Sequence, residues 1–294
     1  MEGFIQLLVL GLMEGGLYAI VAAAMVLVFK STHVVSLAHG QIMGFGALAF
    51  WIGLVQLKLP LSVSLFGALA FSAAMGWLIE RAAMRPLIGQ PLFASFLNTF
   101  AVFLVLDGIF QLILKGESYS FSAYLPKGNI SWAGFTFSIT QMVSFLGSLL
   151  VFLGLALFYR WTKLGLGMRA TAEDHQLAQS TGISVRGVFS AIWVLSSATA
   201  TFAGLALANV TDIYYTLPYM GIKGLVVALV GGLESLPGAL LAGLLLGVLE
   251  NVSAGYLDPL VGGGIKEVAA YILLLFVLLV RPYGLFGLVR IERI

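Results

Sequence analysis

The chain has 294 residues and no cysteine, which excludes disulfides, thiolate metal sites and thiol catalysis. Charge is scarce as well: 10% of residues are charged against 60% hydrophobic, and mean hydropathy is +1.04. Several chemical signatures are also missing. There is no G-x-x-x-x-G-K-[ST] phosphate loop, no G-x-S-x-G elbow and no H-E-x-x-H. Nucleotide hydrolysis or hydrolytic chemistry therefore belongs to another chain, and no catalytic residue is expected here. A net charge of +2 gives no reason to expect nucleic acid or acidic substrates, because in a membrane chain the placement of basic residues matters more than their sum. The opening Met1-Glu2-Gly3 lacks the positive region of a signal peptide, and the apolar stretch behind it is full span length, so it reads as a retained first helix.

What is present is a series of apolar blocks, each near the ~20 residues needed to cross about 30 Å of hydrocarbon. The expected fold is all-α, a polytopic transmembrane helical bundle forming one permease-like domain over residues 1–294. Spans are read at Phe4 to Phe29, Gln41 to Leu57, Leu61 to Ile79, Leu92 to Leu114, Phe137 to Tyr159 and Val188 to Asn209. Beyond them Gly221 to Gly255 is one apolar region interrupted by Gly231-Gly232-Leu233-Glu234-Ser235-Leu236-Pro237-Gly238, and Lys266 to Val280 makes the last helix. Nine spans follow if the interrupted region crosses twice, eight if one segment re-enters.

The eight arginines fall in three places: Arg81 and Arg85; Arg160, Arg169 and Arg186; Arg281, Arg290 and Arg293. The positive-inside rule puts those regions in the cytoplasm, the N-terminus and the Glu117 to Phe135 loop outside, and the C-terminus inside. Lysines at 58, 115 and 127 on the other side weigh against this, more weakly.

Two broken segments occupy comparable parts of the two halves, Ser36-Leu37-Ala38-His39-Gly40-Gln41 and Gly231 to Gly238. Backbone freed from a helix must face protein or a wet cavity, so Ser36, His39, Gly40, Gln41, Gly231, Gly232, Ser235 and Gly238 are candidates for a translocation pathway. The opposing reading of the second break is an ordinary turn. His39 has no second His or Cys at ligand spacing, so a fixed hydrogen bond is expected there and no metal. Glu14, Asp107 and Glu250 lie inside spans; for each, pairing with a neighbouring helix is set against a transport role. The repeated Gly-Ala-Leu-Ala-Phe at Gly46 and Gly67 is read as small-residue helix packing.

The longest polar interruption runs from Trp161 to Gly187. Within it Met168 to Ser180 predicts one short helix stopped by Gly182, with Ala170, Leu177 and Ala178 as an apolar stripe beside Arg169, Glu173 and Asp174. Such a foot suits a cleft on an ATPase; a solvated loop is the alternative.

Thr162-Lys163-Leu164-Gly165-Leu166-Gly167-Met168-Arg169-Ala170, then Glu173-Asp174 and Gly182-Ile183, resembles the coupling loop of LivH-type permeases of branched-chain amino acid ABC transporters. Ala38-His39-Gly40, the stretch from Gly231 to Ala239 and Arg281-Pro282 with Gly284-Leu285-Phe286-Gly287 resemble further motifs of that family, in the same order. The resemblance implies a multi-pass inner-membrane importer of a bacterium or archaeon, moving a small solute such as a branched-chain or other apolar amino acid. Its partners would be a second permease chain, identical or different, two cytoplasmic ATPases that carry ATP and Mg, and an extracytoplasmic solute-binding protein. This chain would bind no cofactor. Arg169, Ala170, Glu173, Asp174 and Gly182 would couple to the ATPase.

The chain departs from the family pattern with Ser36-Leu37 and Gln41 where Asn-Phe and Glu are usual, and with Glu14 at a usually neutral position. The polar lining near the first break is thus expected to have lost a carboxylate, and urea, short amides or aromatic acids stand as alternative solutes. A rival class is a stand-alone carrier in which Glu14 and Asp107 bind a coupling proton or Na⁺.

Overall fold

The computed structural model describes residues 2–125, 127–132 and 135–287; Met1, Arg290 and Arg293 lie outside the described residues. Helices dominate: α1 (Glu2–Thr32), α2 (His39–Trp51), α3 (Leu61–Ile79), α4 (Leu92–Leu114), α5 (Ile139–Trp161), α6 (Lys163–Glu173), α7 (His175–Ser180), α8 (Val185–Thr211), α9 (Met220–Gly231), α10 (Leu236–Val261) and α11 (Ile265–Val280). Helices apolar on all sides belong in a large core or in lipid, and six of these are long and apolar enough to cross a membrane. Pro60 and Pro91 stand immediately before α3 and α4, where a missing N–H and a fixed φ cost nothing. Single π turns continue α2 through Gln56 and α3 through Met84.

Between α4 and α5 an antiparallel hairpin pairs β1 (Asn129–Trp132) with β2 (Phe135–Ser138). The span expected from Phe137 therefore starts at Ile139, because Phe137 and Ser138 are held in the strand. The hairpin marks one end of the bundle. There Trp51 packs on Tyr119 with ring centres 4.3 Å apart, Tyr119 and Ile213 exchange backbone hydrogen bonds of 2.9 and 2.8 Å, and Phe4 meets Tyr256. At the opposite end His33 Nε2 lies 3.1 Å from the Ala172 carbonyl, Arg85 bonds Ser190, and the Leu285 amide donates to Val230.

Those contacts settle how the interrupted apolar region runs. Ile213 is at the hairpin end and Gly231 at the other, so the chain passes between ends through a 3-10 turn, Leu217–Tyr219, and α9. The twelve residues of α9 supply only ~18 Å of rise, and the irregular residues ahead of it make up the rest. Then α10 returns. The region crosses twice, the passes number nine among the described residues, and the two ends of the described chain sit at opposite ends of the bundle.

The central pair is α1 and α10, antiparallel and joined by glycine on both sides. A Cβ on Gly11 would fall 2.6 Å from the Val248 Cα, and one on Gly15 2.5 Å from the Gly243 oxygen. Small residues four apart let backbones touch where lipid offers no hydrophobic drive for association. Gly46 packs against the Thr201 side chain of α8, whereas in the second copy of the pentapeptide Gly67 faces open space and the small residue packed into the core is Ala68.

Charged side chains cluster at this centre. Lys223 lies 3.1 Å from Glu250 and 3.2 Å from Glu267, Tyr18 donates to Glu250 at 2.9 Å, and Lys266 meets Glu14 at 2.6 Å. Glu14 also accepts from Asn251. Glu14 and Glu250 are therefore paired between helices, the structural alternative. Lys223, which the sequence reading passed over, is the cation that allows Glu250 to be fully buried.

Candidate functional site

The arginine-bearing end encloses a cavity of about 870 Å³. Its wall takes His33 and Val34 from the turn after α1, Leu92 and Ser95 from α4, Gln176 and Gln179 from α7, and Leu233 and Glu234 from the turn before α10. His33 and Glu234, both in its wall, approach to 4.0 Å.

The Trp161–Gly187 segment forms two short helices in place of one. Asp174 is extended (φ −156°, ψ 119°) and its carboxylate accepts from the Gln176 and Leu177 amides, so it ends α6 and caps α7. Gly182, at φ +86°, closes α7 as expected. The predicted stripe is divided by that break: Ala178 is buried, Ala170 half-buried, and Leu177 is 65% exposed. Arg169 does not project. It donates to the Tyr159 carbonyl of α5 and lies over the Tyr159 ring, with Lys30 of α1 4.7 Å from the same ring. Met168 and Thr171 are buried beneath. The base of the segment is thus clamped to α1 and α5, while Glu173, Leu177 and Gly182 are presented outward.

Between α1 and α2 the chain leaves the helix at His33, whose backbone is left-handed (φ +56°), and enters α2 through a turn at Leu37 and Ala38 (Ala38 φ −68°, ψ −15°). His39 is fully engaged, with Nδ1 2.8 Å from the Ser36 hydroxyl, Nε2 2.9 Å from that of Ser196, and its ring beside Trp193. This is the fixed hydrogen bond expected. Gly40 is needed for close approach: a Cβ on Gly221 would lie 2.5 Å from the Gly40 Cα, so the first turns of α2 and α9 meet backbone to backbone. Val34 faces the large cavity while Leu37 lines a second, apolar pocket of about 100 Å³ with Phe100, Phe103, Pro218, Gly221 and Ile222. The break is therefore the partition between two spaces. Thr99 holds it, its hydroxyl 3.1 Å from the Val35 carbonyl and 2.9 Å from that of Phe96.

The second break is built differently. Gly232 (φ +99°) admits no side chain, since a Cβ would fall 2.5 Å from the Gly287 nitrogen; Gly231 abuts Gly238, and Ser235 caps α10 by accepting from the Gly238 amide at 3.0 Å. Gly231, Gly232, Ser235 and Gly238 thus form a packed turn locked to the C-terminal stretch Gly284–Gly287 and do not line the cavity. Their neighbours Leu233 and Glu234 do.

Asp107 anchors a polar group that sequence spacing alone does not assemble. Gln41 donates to Oδ1 at 2.9 Å, Gln111 to Oδ2, and the Tyr219 hydroxyl to Oδ2 at 3.2 Å. Gln41 is thus joined to a carboxylate from α4. The legible signal was the i, i+4 series Ser95, Thr99, Phe103, Asp107, Gln111, which shares one face of α4 and leads from the large cavity past the partition to the small pocket.

Residues 7–280 match the family model described as branched-chain amino acid transport system, permease component. The chain is 30% identical to the high-affinity branched-chain amino acid transport system permease protein BraD of Pseudomonas aeruginosa, over 99% of this chain and 98% of that protein. It is 29% identical to LivH of Salmonella typhimurium over the same shares, and 30% identical to the probable LivH of Methanocaldococcus jannaschii over 92% and 89%. In fold it is similar to a chain of PsaBC from Streptococcus pneumoniae in complex with Fab, with TM-score 0.53, 14% identity, and 94% and 92% of the two chains covered. With nine passes, a cavity at one end and a clamped helical segment beside it, this multi-pass membrane chain belongs to the permease-component family of branched-chain amino acid transport systems.

Proposed function

We propose that the chain is the membrane-spanning permease of an ATP-driven importer of branched-chain or other apolar amino acids, in the inner membrane of a bacterium or archaeon. α6 and α7 dock a cytoplasmic ATPase, two of which hold ATP and Mg; this chain holds no cofactor. A second permease chain completes the pathway, and an extracytoplasmic binding protein delivers the solute.

The observation that carries the reading is that α7 serves two surfaces at once. Leu177 faces outward, while Gln176 and Gln179 of the same helix line the 870 Å³ cavity. A displacement of α7 by a closing ATPase would therefore change the cavity wall directly, biasing inward-open against outward-open states. Every arginine among the described residues sits at this end, which supports its being cytoplasmic and the hairpin end outside. An intramembrane Asp107 at the bundle surface supports a second permease against that face, since an uncovered carboxylate in lipid costs about 2.5 to 3.5 kcal/mol. Of the two carboxylates on which the carrier reading rests, Glu14 is ion-paired with Lys266, which leaves only Asp107 to serve it.

The test is co-purification and uptake with Leu177→Glu and, separately, Gly182→Val. Loss of the ATPase from a permease that still elutes as a monodisperse species, with uptake reduced about ten-fold or more, is expected; this corresponds to ~1.4 kcal/mol of docking energy. Unchanged ATPase recovery and uptake would remove the coupling role.

A further inference from the structure

Among the described residues, Asp107 is a carboxylate well inside a span with no cation beside it, unlike Glu14 and Glu250. Glu14, Glu80, Glu250 and Glu267 each lie within 3.2 Å of a lysine or arginine. Asp107, well inside α4, receives only the neutral donors Gln41, Gln111 and Tyr219, and no cation among the described residues comes within ion-pair distance. Three oriented donors hold the carboxylate in place without neutralising it. A fixed, partly exposed anion away from water attracts a cation more strongly than one at an aqueous surface.

Beside it lies the apolar pocket. Phe103 is one helical turn from Asp107 on the same face of α4, and the Tyr219 ring that reaches Asp107 stands 6.2 Å from the Phe103 ring and next to Pro218 in the pocket wall. The volume, about 100 Å³, is on the order of three waters at ~30 Å³ each, which suits a short branched alkyl group. Phe100 and Ile222 are partly exposed, so the pocket opens at the bundle surface on the same side as Asp107.

We infer that Asp107 and this pocket form a solute site within the membrane, in which the carboxylate takes the α-ammonium of an amino acid and the pocket formed by Leu37, Phe103 and Ile222 takes its apolar side chain. The inference rests on the importer reading above and assigns the residues that recognise its solute. Gln41, Gln111 and Tyr219 are positioning residues that aim Asp107.

The experiment uses the complete complex of permease, ATPase and binding protein in proteoliposomes, together with equilibrium binding of labelled leucine to the complex in nanodiscs without binding protein. Variants are Asp107→Asn, Asp107→Glu and Ile222→Trp, each normalised to assembled complex. Expected are leucine binding weakened about ten-fold or more by Asp107→Asn, partial recovery with Asp107→Glu, weaker binding with Ile222→Trp, and wild-type discrimination against 4-methylpentanoate, which has the side chain without the ammonium. Leucine binding and uptake per complex unchanged in Asp107→Asn would overturn the site while leaving the importer reading intact. So would a variant that fails to pair with the second permease but binds leucine normally once assembled, since Asp107 would then serve a lysine of that chain. Absence of ATP-dependent uptake of any amino acid by the wild type would instead remove the importer reading itself.

Discussion

The two glycine-marked breaks look alike in the sequence and do opposite things in the structure. The first, from His33 into the start of α2, is an irregular stretch with a cavity on one side and an apolar pocket on the other, and is pinned by single hydrogen bonds from Thr99 and between His39, Ser36 and Ser196. The second, from Gly231 to Gly238, is closed on itself and on Gly284–Gly287 by backbone contacts with no space for a Cβ. A partition held by a few polar contacts can have two arrangements; a turn held by interlocked backbone has one. The first break is therefore the one we propose for a moving pathway element, and the second is the packed frame from which Leu233 and Glu234 reach the cavity.

The largest expected effect lies in the frame. Gly232→Ala places a side chain at φ +99° and into the Gly287 backbone, costing ~3 kcal/mol or more from strain and overpacking together, and is expected to abolish recovery of monodisperse protein in fluorescence-detected size exclusion. Recovery at the wild-type level would mean that the turn is not the rigid element described. A smaller effect separates the breaks directly. Ser235→Ala removes the α10 cap and should lower thermal stability in detergent by about 1 kcal/mol while leaving uptake per folded complex unchanged. Thr99→Val, with a similar or smaller stability loss of about 0.5 to 1.5 kcal/mol, should change uptake per folded complex, because it loosens the partition. Reversal of these two outcomes would exchange the roles of the breaks. The smallest perturbation sharpens the comparison further, since the chain has no cysteine of its own. Single cysteines at Val34 and Leu37 are expected to differ in labelling by a membrane-impermeant maleimide applied from the arginine-bearing side, Val34→Cys reacting and Leu37→Cys protected. Equal reactivity would show no partition there.

Hydropathy alone made the bundle legible, because a lipid-facing helix must be apolar over most of its length and the signal accumulates over some twenty positions. It erred where a few residues decide. Phe137 is apolar but belongs to a strand fixed by pairing with Ile130, and one helix over Met168 to Ser180 became two because Asp174 satisfies the amides of the following turn. The fixed role of His39 was also legible, from the absence of partner ligands. The Asp107 group was legible only in its α4 part, Asp107 with Gln111 at i, i+4; Gln41 and Tyr219 lie 66 and 112 residues away in the chain, and hydropathy records none of that.

By itself the sequence determined the class of protein, the helices, the distribution of basic residues between the two ends and the motifs of the family, all of which depend on composition and spacing along the chain. Only the tertiary structure decided which break separates the cavity from the apolar pocket, which carboxylates are paired with Lys223 and Lys266, and that Arg169 is an anchor. Those depend on which distant side chains share a volume, and within a uniformly apolar medium that is set by close contact between backbones at glycine and by the few polar groups that must find one another.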